Sequence, residues 1–214
     1  MDNVLGAPEK WAWRSGFHRV AGTDEAGRGA LAGPLVAAAV ILPRREELMG
    51  LEELNDSKLL SPAKRKFLFK SIVENAEAWS FACASPADID RWGLQKANQV
   101  ALREALLNLK PPPDLVMVDY YRLPDLNVPQ WSLVHGDRLS RSVAAASVLA
   151  KVIRDHLMWF WSLLYPRYGF DRNKGYGTKE HLEALAGCGP APCHRSSFRS
   201  VSQTRLPLEG QLGE

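Results

Sequence analysis

The sequence predicts a single α/β domain built on a mixed sheet, and three observations carry that expectation. Two apolar, strand-like runs, "RVAGTDEAGRG" and "LVAAAVILP", come first and are separated only by a glycine-rich turn or bulge. Later apolar runs alternate with helix-period segments, the pattern of strands and helices in one layered unit. The chain has 214 residues, 46% hydrophobic and 24% charged, which suits one globular domain with a small appendage and excludes a disordered or fibrous protein.

In chain order, residues 1–16 mix Gly, Pro and charge without a period and read as a flexible arm. The first run is a strand whose outgoing residues are acidic; the second is a buried strand stopped by Pro43. Ser61-Pro62 is an N-cap followed by proline at the first helical position, and Phe67, Leu68 and Ile72 then recur at helical spacing. "AWSFACAS" alternates as a third strand. Ser85-Pro86 starts another helix, whose apolar stripe passes through Leu102, Leu106 and Leu109 until "KPPP" closes it. "DLVMVDYY" and "WSLVHGD" are short apolar runs that deliver Asp119 and Asp137. The long helix that follows puts Val143, Ala146, Ala150, Ile153, Leu157 and Phe160 on one side. Beyond Pro166 the strand character is lost. One short helix opened by Thr178 stands among glycines and basic residues, a helical appendage beside the sheet.

Net charge is only +3, but its distribution is uneven: residues 151–206 hold nine Lys/Arg against four Asp/Glu. A basic C-terminal third suits nucleic-acid contact, although an ordinary solvated surface has the same composition. Three cysteines form no regular framework, which favours free thiols in a reducing compartment and so the cytoplasm. No run approaches the roughly 18 apolar residues of a membrane span, and the N-terminus lacks the apolar core of a signal peptide.

Asp24, Glu25, Asp119 and Asp137 lie at strand ends or just beyond, the edge of an α/β sheet where sites form. Like charges packed together raise one another's pKa, so divalent cations are the simplest way to keep all four ionised, and oxygen donors select hard ions such as Mg²⁺ or Mn²⁺. Two such ions roughly 3.5–4 Å apart could activate a water and stabilise the leaving oxygen of a phosphodiester. Any one strand-end aspartate is as often a turn former, and Asp137 could equally cap the helix that starts near Ser140. Neighbours on a strand point to opposite faces, so a bulge or strand end must turn Asp24 and Glu25 if both reach one ion. Gly27-Arg28-Gly29 offers bare backbone N–H groups around a guanidinium, and Tyr176, between two glycines and close to Lys174 and Lys179, resembles a stacking platform for a sugar or base. Cys188 and Cys193-His194 lack zinc-site spacing.

Several ordered blocks, "GTDEAGRGALAGPLVAAAVIL", "LNDSKLLS", "VMVD", "GDRLSRSVAAASVLAKVIRD", "YGFDRNKGYGTKEHLEAL" and "HRSSF", resemble ribonuclease HII, the type 2 ribonuclease H family. The resemblance implies a ribonuclease H-like mixed β-sheet flanked by helices: a catalytic domain over 17–166, a C-terminal helical extension over 167–202 that carries a substrate-contacting loop, and a flexible tail over 203–214. It implies cleavage of RNA in RNA–DNA hybrids and incision 5′ to single ribonucleotides in duplex DNA by a monomer, with any replication partner left open. By motif match Asp24, Glu25, Asp119 and Asp137 would bind Mn²⁺ or Mg²⁺. Gly27, Arg28 and Gly29 would read the 2′-hydroxyl at the RNA–DNA junction, Tyr176 would pack on the junction sugar, and Lys58 would contact phosphate. The chain departs from the family pattern at Ala30, where a proline is usual, at Tyr120-Tyr121, which replace Gly-Asn, and at Asn173, which replaces a histidine. Two other readings share these residues: a related nuclease that prefers long hybrids, and a non-catalytic nucleic-acid binding module.

Overall fold

The structure, a computed structural model, describes residues 5–45, 50–51, 53–54, 57 and 60–204; Lys58 and residues 205–214 of the tail lie outside the described residues. Five strands form one mixed sheet in the order β3-β2-β1-β4-β5. They are β1 (Val20–Ala26), β2 (Leu35–Ile41), β3 (Ala78–Ala84), β4 (Leu115–Asp119) and β5 (Gln130–Leu133). β2 runs antiparallel to both β1 and β3, whereas β4 is parallel to β1 and β5 is parallel to β4.

Helices cover both faces. On one face the long α6 (Arg141–Leu164) packs across β1 and β2 with α2 (Pro62–Asn75) beside it, and Ala144, Ala145 and Ala146 meet Ala38 and Val40. On the other face Ala37, Ala39 and Ile41 meet Ala97, Ala101 and Ala105 of α4 (Leu94–Leu107). The alanines let each helix approach the sheet closely, so the core is thin and continuous. The expected single helix from Ser85-Pro86 is two: Gly93 separates α3 (Pro86–Trp92) from α4, because a turn there redirects the chain after the Ser85–Asp88 capping box has set α3. Asp137 sits beyond β5 in the first turn of the short α5 (Gly136–Leu139).

The N-terminal segment corrects the sequence reading, since residues 7–14, expected within a loose arm, are α1 (Ala7–Arg14). The reason is tertiary. Glu9 is buried, and its Oε1 accepts from the Ser140 hydroxyl at 2.6 Å and from the Ser142 amide at 2.9 Å, so its charge sits at the N-terminus of α6. Trp11 stacks against Trp131 of β5 with ring centroids 4.5 Å apart. The C-terminal appendage is helical as expected but holds three short helices, α7 (Phe170–Asn173), α8 (Lys179–Cys188) and α9 (Arg199–Ser202), around their own small core of Tyr168, Phe170, Leu185 and Val201.

The parallel ladder between β1 and β4 ends at the pair Thr23↔Val118. Beyond it β1 stays with β2 through Glu25↔Ala37, while Asp119 stays with Leu133 of β5, so a cleft opens between the carboxyl ends of adjacent strands. The cap on α6 holds one wall of that cleft. Replacing Glu9 with alanine is expected to destabilise the domain by about 2 kcal/mol, since it removes two charge-assisted hydrogen bonds from buried donors. A urea titration with a lowered midpoint and an unchanged slope is the expected readout.

Candidate active site

Asp24 and Glu25 keep regular antiparallel register with Ala38 and Ala37, so no bulge turns them. They straddle the sheet at its open end. Asp24 lies on the α6 face beside Ser147, whereas Glu25 lies on the α4 face beside Asn98 and forms an ion pair with Arg28 at 3.6 Å. Ser147 is itself 2.7 Å from the hydroxyl of Ser57. Asp119, on the next strand, stands where the charges of both meet, and its Oδ1 accepts from the Gly136 amide at 2.9 Å. That bond docks the turn that carries the half-buried Asp137.

Burial, reinforced by the Glu25 charge and then by Asp119, holds the Asp24 carboxyl well above the usual aspartate range. Glu25 is also pushed up by burial, and the nearby Arg28 guanidinium opposes that shift. The donors are all hard oxygen atoms, and their mutual repulsion is of the kind a divalent ion relieves. Among the described residues, however, no three His, Cys, Asp or Glu side chains are gathered tightly enough to form a ready-made metal site.

Glu25, Arg28 and Asp119 line a pocket of about 340 Å³ together with Gln95, Asn98, Tyr120 and Tyr121. The two tyrosines, whose rings lie 4.9 Å apart, are exposed and form one wall beside Asp119. Gln95, Asn98 and Ser147 escaped the sequence reading. Their signal was faint: a polar pair three residues apart on an apolar helix, and one serine in an alanine-rich run.

The loop after β1 is held by two buried arginines from distant parts of the chain. Arg154 of α6 donates to the carbonyls of Pro34 and Ala32 at 3.0 and 3.2 Å. Arg195 donates twice to Gly33, at 3.1 and 3.0 Å, and once to Arg28 at 2.9 Å. Gly27 has φ +90°, and a Cβ there would stand 1.9 Å from Arg154 Nε, so only glycine fits. The Arg28 side chain points outward, bonded to Gln95 at 2.7 Å and 3.6 Å from Glu25.

The second glycine-flanked loop is stitched to the first, because Gly175 O accepts from the amides of Leu31 and Ala32 at 2.8 and 3.3 Å. A Cβ on Gly175 would lie 2.5 Å from Ala32 O. Tyr176 is half-buried, with Arg154 Cζ 5.1 Å and Lys151 Nζ 5.7 Å from its ring centroid. Asn173 shapes this loop by donating to Tyr168 O at 2.6 Å and accepting from the Gly175 amide at 2.7 Å. The structure thus brings Asp24, Glu25, Asp119, Gly27, Arg28, Gly29 and Tyr176 to one region of the molecule.

Comparison with known proteins identifies the family. The model of the Ribonuclease HII family matches residues 21–201. This chain belongs to the ribonuclease HII family. A ribonuclease HII from Desulfitobacterium hafniense (strain Y51) is 50% identical over 195 residues, covering 91% of this chain and 74% of that protein. In fold, the chain is similar to the ribonuclease H2 from Pyrococcus horikoshii OT3, with a TM-score of 0.75 at 24% identity over 87% of this chain and 96% of that one. It is also similar to Bst-RNase HIII, solved in complex with Mn²⁺, with a TM-score of 0.73 at 20% identity over 90% of this chain and 71% of that one. Family membership makes the chain a ribonuclease H, a hydrolase of the RNA strand in RNA–DNA hybrids.

The carboxylate repulsion has a sign that can be measured without substrate. An acid whose folded pKa is raised binds more protons folded than unfolded between its ordinary value of 3.8 and its raised value, so Asp24 lowers stability as pH rises through that window. In chelator, Asp24→Asn is therefore expected to be more stable than wild type at pH 8, with the difference vanishing as pH falls towards 4. Equal stabilities across that range, read by urea denaturation, would count against a strained carboxylate cluster.

Proposed function

We propose that this ribonuclease HII-family enzyme incises duplex DNA 5′ to single embedded ribonucleotides as well as hydrolysing longer hybrids. In this reading Asp24, Glu25, Asp119 and Asp137 hold Mn²⁺ or Mg²⁺. One observation carries it: the Gly27–Gly29 and Tyr176 loops, some 150 residues apart, are hydrogen-bonded together next to the carboxylate cleft. A site with that layout can select a sugar at the same place where it holds a phosphate.

Ions bound there would supply charge for the phosphate and activation of an attacking water, as paired hard cations do at phosphodiester bonds. The protein's own part is positional. Ser147 and Asn98 stand beside the carboxylates on either side of the sheet end, and Gly136 orients Asp119. Arg28 and the exposed backbone around it would donate to the 2′-hydroxyl, the group that separates RNA from DNA, while Tyr176 would pack against the same sugar. The Mn²⁺ complex of the fold neighbour Bst-RNase HIII is consistent with this reading.

A basic groove supports a duplex substrate. It has a volume of about 800 Å³ and is lined by Arg65 and Lys66 of α2, Lys151, Asp155 and Trp159 of α6, and Arg172 and Lys174 of the C-terminal extension. Ser147, Lys151, Asp155 and Trp159 recur every four residues on one side of α6, so the groove continues from the serine beside Asp24. Phosphates flanking the scissile bond would lie along it. Among the described residues no helix is long and apolar enough to cross a membrane, and Cys83, Cys188 and Cys193 are free thiols, which fits a reducing cytoplasm.

Labelled duplexes with one ribonucleotide, with an all-RNA strand and with no RNA test the proposal. The expected outcome is incision 5′ to the single ribonucleotide in Mn²⁺ or Mg²⁺, none in chelator, and a loss of at least about 100-fold in kcat for Asp24→Asn or Asp119→Asn, the scale on which removal of an electrostatic stabiliser acts. Wild-type cleavage by Asp24→Asn in Mn²⁺ would overturn the metal assignment, and cleavage of the all-RNA strand alone would favour the long-hybrid reading. Lys174→Glu and Arg65→Glu are expected to weaken duplex binding at every sequence. Each should make the slope of log K against log salt shallower by roughly 1, measured by anisotropy titration.

A further inference from the structure

The C-terminal extension buries two imidazoles that the chemistry above does not use. His181 of α8 and His194 are 0% and 3% exposed, and their Nε2 atoms lie 3.0 Å apart. Two neutral imidazoles can share one hydrogen there, and the groups at the two ends decide which ring carries it. At one end the Ala191 amide, which can only donate, meets His194 Nδ1 at 3.0 Å. The Ala191 carbonyl is 3.1 Å from the same nitrogen and accepts from His194's own amide at 2.9 Å, but a protonated Nδ1 could not accept the amide hydrogen directed at it. His194 therefore has a bare Nδ1 and a protonated Nε2. At the other end His181 Nδ1 lies 2.9 Å from the Tyr176 carbonyl, which can only accept, so His181 carries its hydrogen on Nδ1 and offers a lone pair at Nε2. The two assignments agree, giving one directed chain: Ala191 N–H to His194, His194 Nε2–H to His181, His181 Nδ1–H to Tyr176 O.

We propose that His181 and His194 are positioning residues, a two-imidazole strut of fixed tautomers that holds the Tyr176 carbonyl, and with it the Gly175–Gly177 loop, against the Gly-Arg-Gly loop. The proposal rests on the reading of Tyr176 as the residue that packs on the junction sugar. The surroundings keep both rings neutral. Phe170 meets His181 edge-on with centroids 5.3 Å apart, and Tyr168 lies 4.8 Å from His194. Of the groups nearby, Cys193 and the Tyr168 hydroxyl are uncharged at neutral pH, and Glu180 acts on His181 more weakly than burial does. Burial, helped by the His181 neighbour, takes His194 down to about 4.

Nitrogen-15 NMR of histidine-labelled wild-type protein reads the strut without any variant. The expected spectrum has His181 protonated at Nδ1 and His194 at Nε2, both neutral at pH 7; the opposite tautomers, or a charged ring, would overturn the proposal. His181→Phe is expected to shift the Tyr176 ring resonances and to raise KM for the one-ribonucleotide duplex about fivefold, the worth of one hydrogen bond, with kcat changed less than twofold. His181→Asn, which can restore a donor near the Nδ1 position, should recover most of that loss. An unshifted Tyr176 ring in a folded His181→Phe protein would sink the strut. Tyr176→Ala keeps the two readings apart: if it leaves KM unchanged while the tautomers and the resonance shift are as expected, the role given to Tyr176 fails and the strut stands.

Discussion

Two buried guanidinium groups organise this molecule. Arg154 and Arg195 are fully buried, and both donate hydrogen bonds to main-chain carbonyls of the loop between β1 and β2. Removing a charge from water costs several kcal/mol, and burial, together with the neighbouring Arg154 charge, takes Arg195 down to about 9. Carbonyl dipoles offset that cost only when several converge, so the loop must adopt the one path that aims Arg28 O, Ala32 O, Gly33 O and Pro34 O at the two forks. The guanidinium fork, with five donors in a rigid plane, suits this work in a way a lysine ammonium does not.

The same constraint explains the glycines. With Arg154 Nε against Gly27 and Ala32 O against Gly175, a side chain at either position would push the loops apart. Arg28 is then fixed at its carbonyl by Arg195 and at its side chain by Gln95 and the Glu25 charge, which ties the glycine-flanked loop to the carboxylate cleft in one corner. Tyr176 closes it from the other side, with Arg154 beneath its ring. A corner built this way has little freedom to relax, because each loop is held by groups fixed from several sides.

The carboxylates show the opposite economy. Asp24 and Glu25 are not turned to one side but split across the end of the sheet, and both carry raised pKa values because burial outweighs their hydrogen bonds. Strain of that kind is expected where function needs concentrated negative charge. It is tolerated because the alanine-packed sheet and the capped α6 are stable enough to hold the cleft open.

Sequence alone determined the class of fold and the order of its five strands and longer helices, and it singled out four acidic positions as candidates, because period-2 and period-3.6 patterns and capping residues act over a few neighbouring residues. It also marked Gly27–Gly29 and Tyr176 as loops that carry chemistry. It did not reveal that α1 is a helix, since Glu9 has meaning only once Ser140 and Ser142, over 130 residues away, are beside it. It missed Ser147 and Asn98 because a polar residue on an apolar helix face is ambiguous until a carboxylate stands opposite. Of the two ways expected to bring Asp24 and Glu25 to one edge, a bulge or a strand end, the structure has no bulge: β1 keeps its register with β2, while the β1–β4 ladder stops at Thr23↔Val118. Local pattern is written in neighbours along the chain, whereas the site is made by groups that only the packed sheet and helices bring within reach.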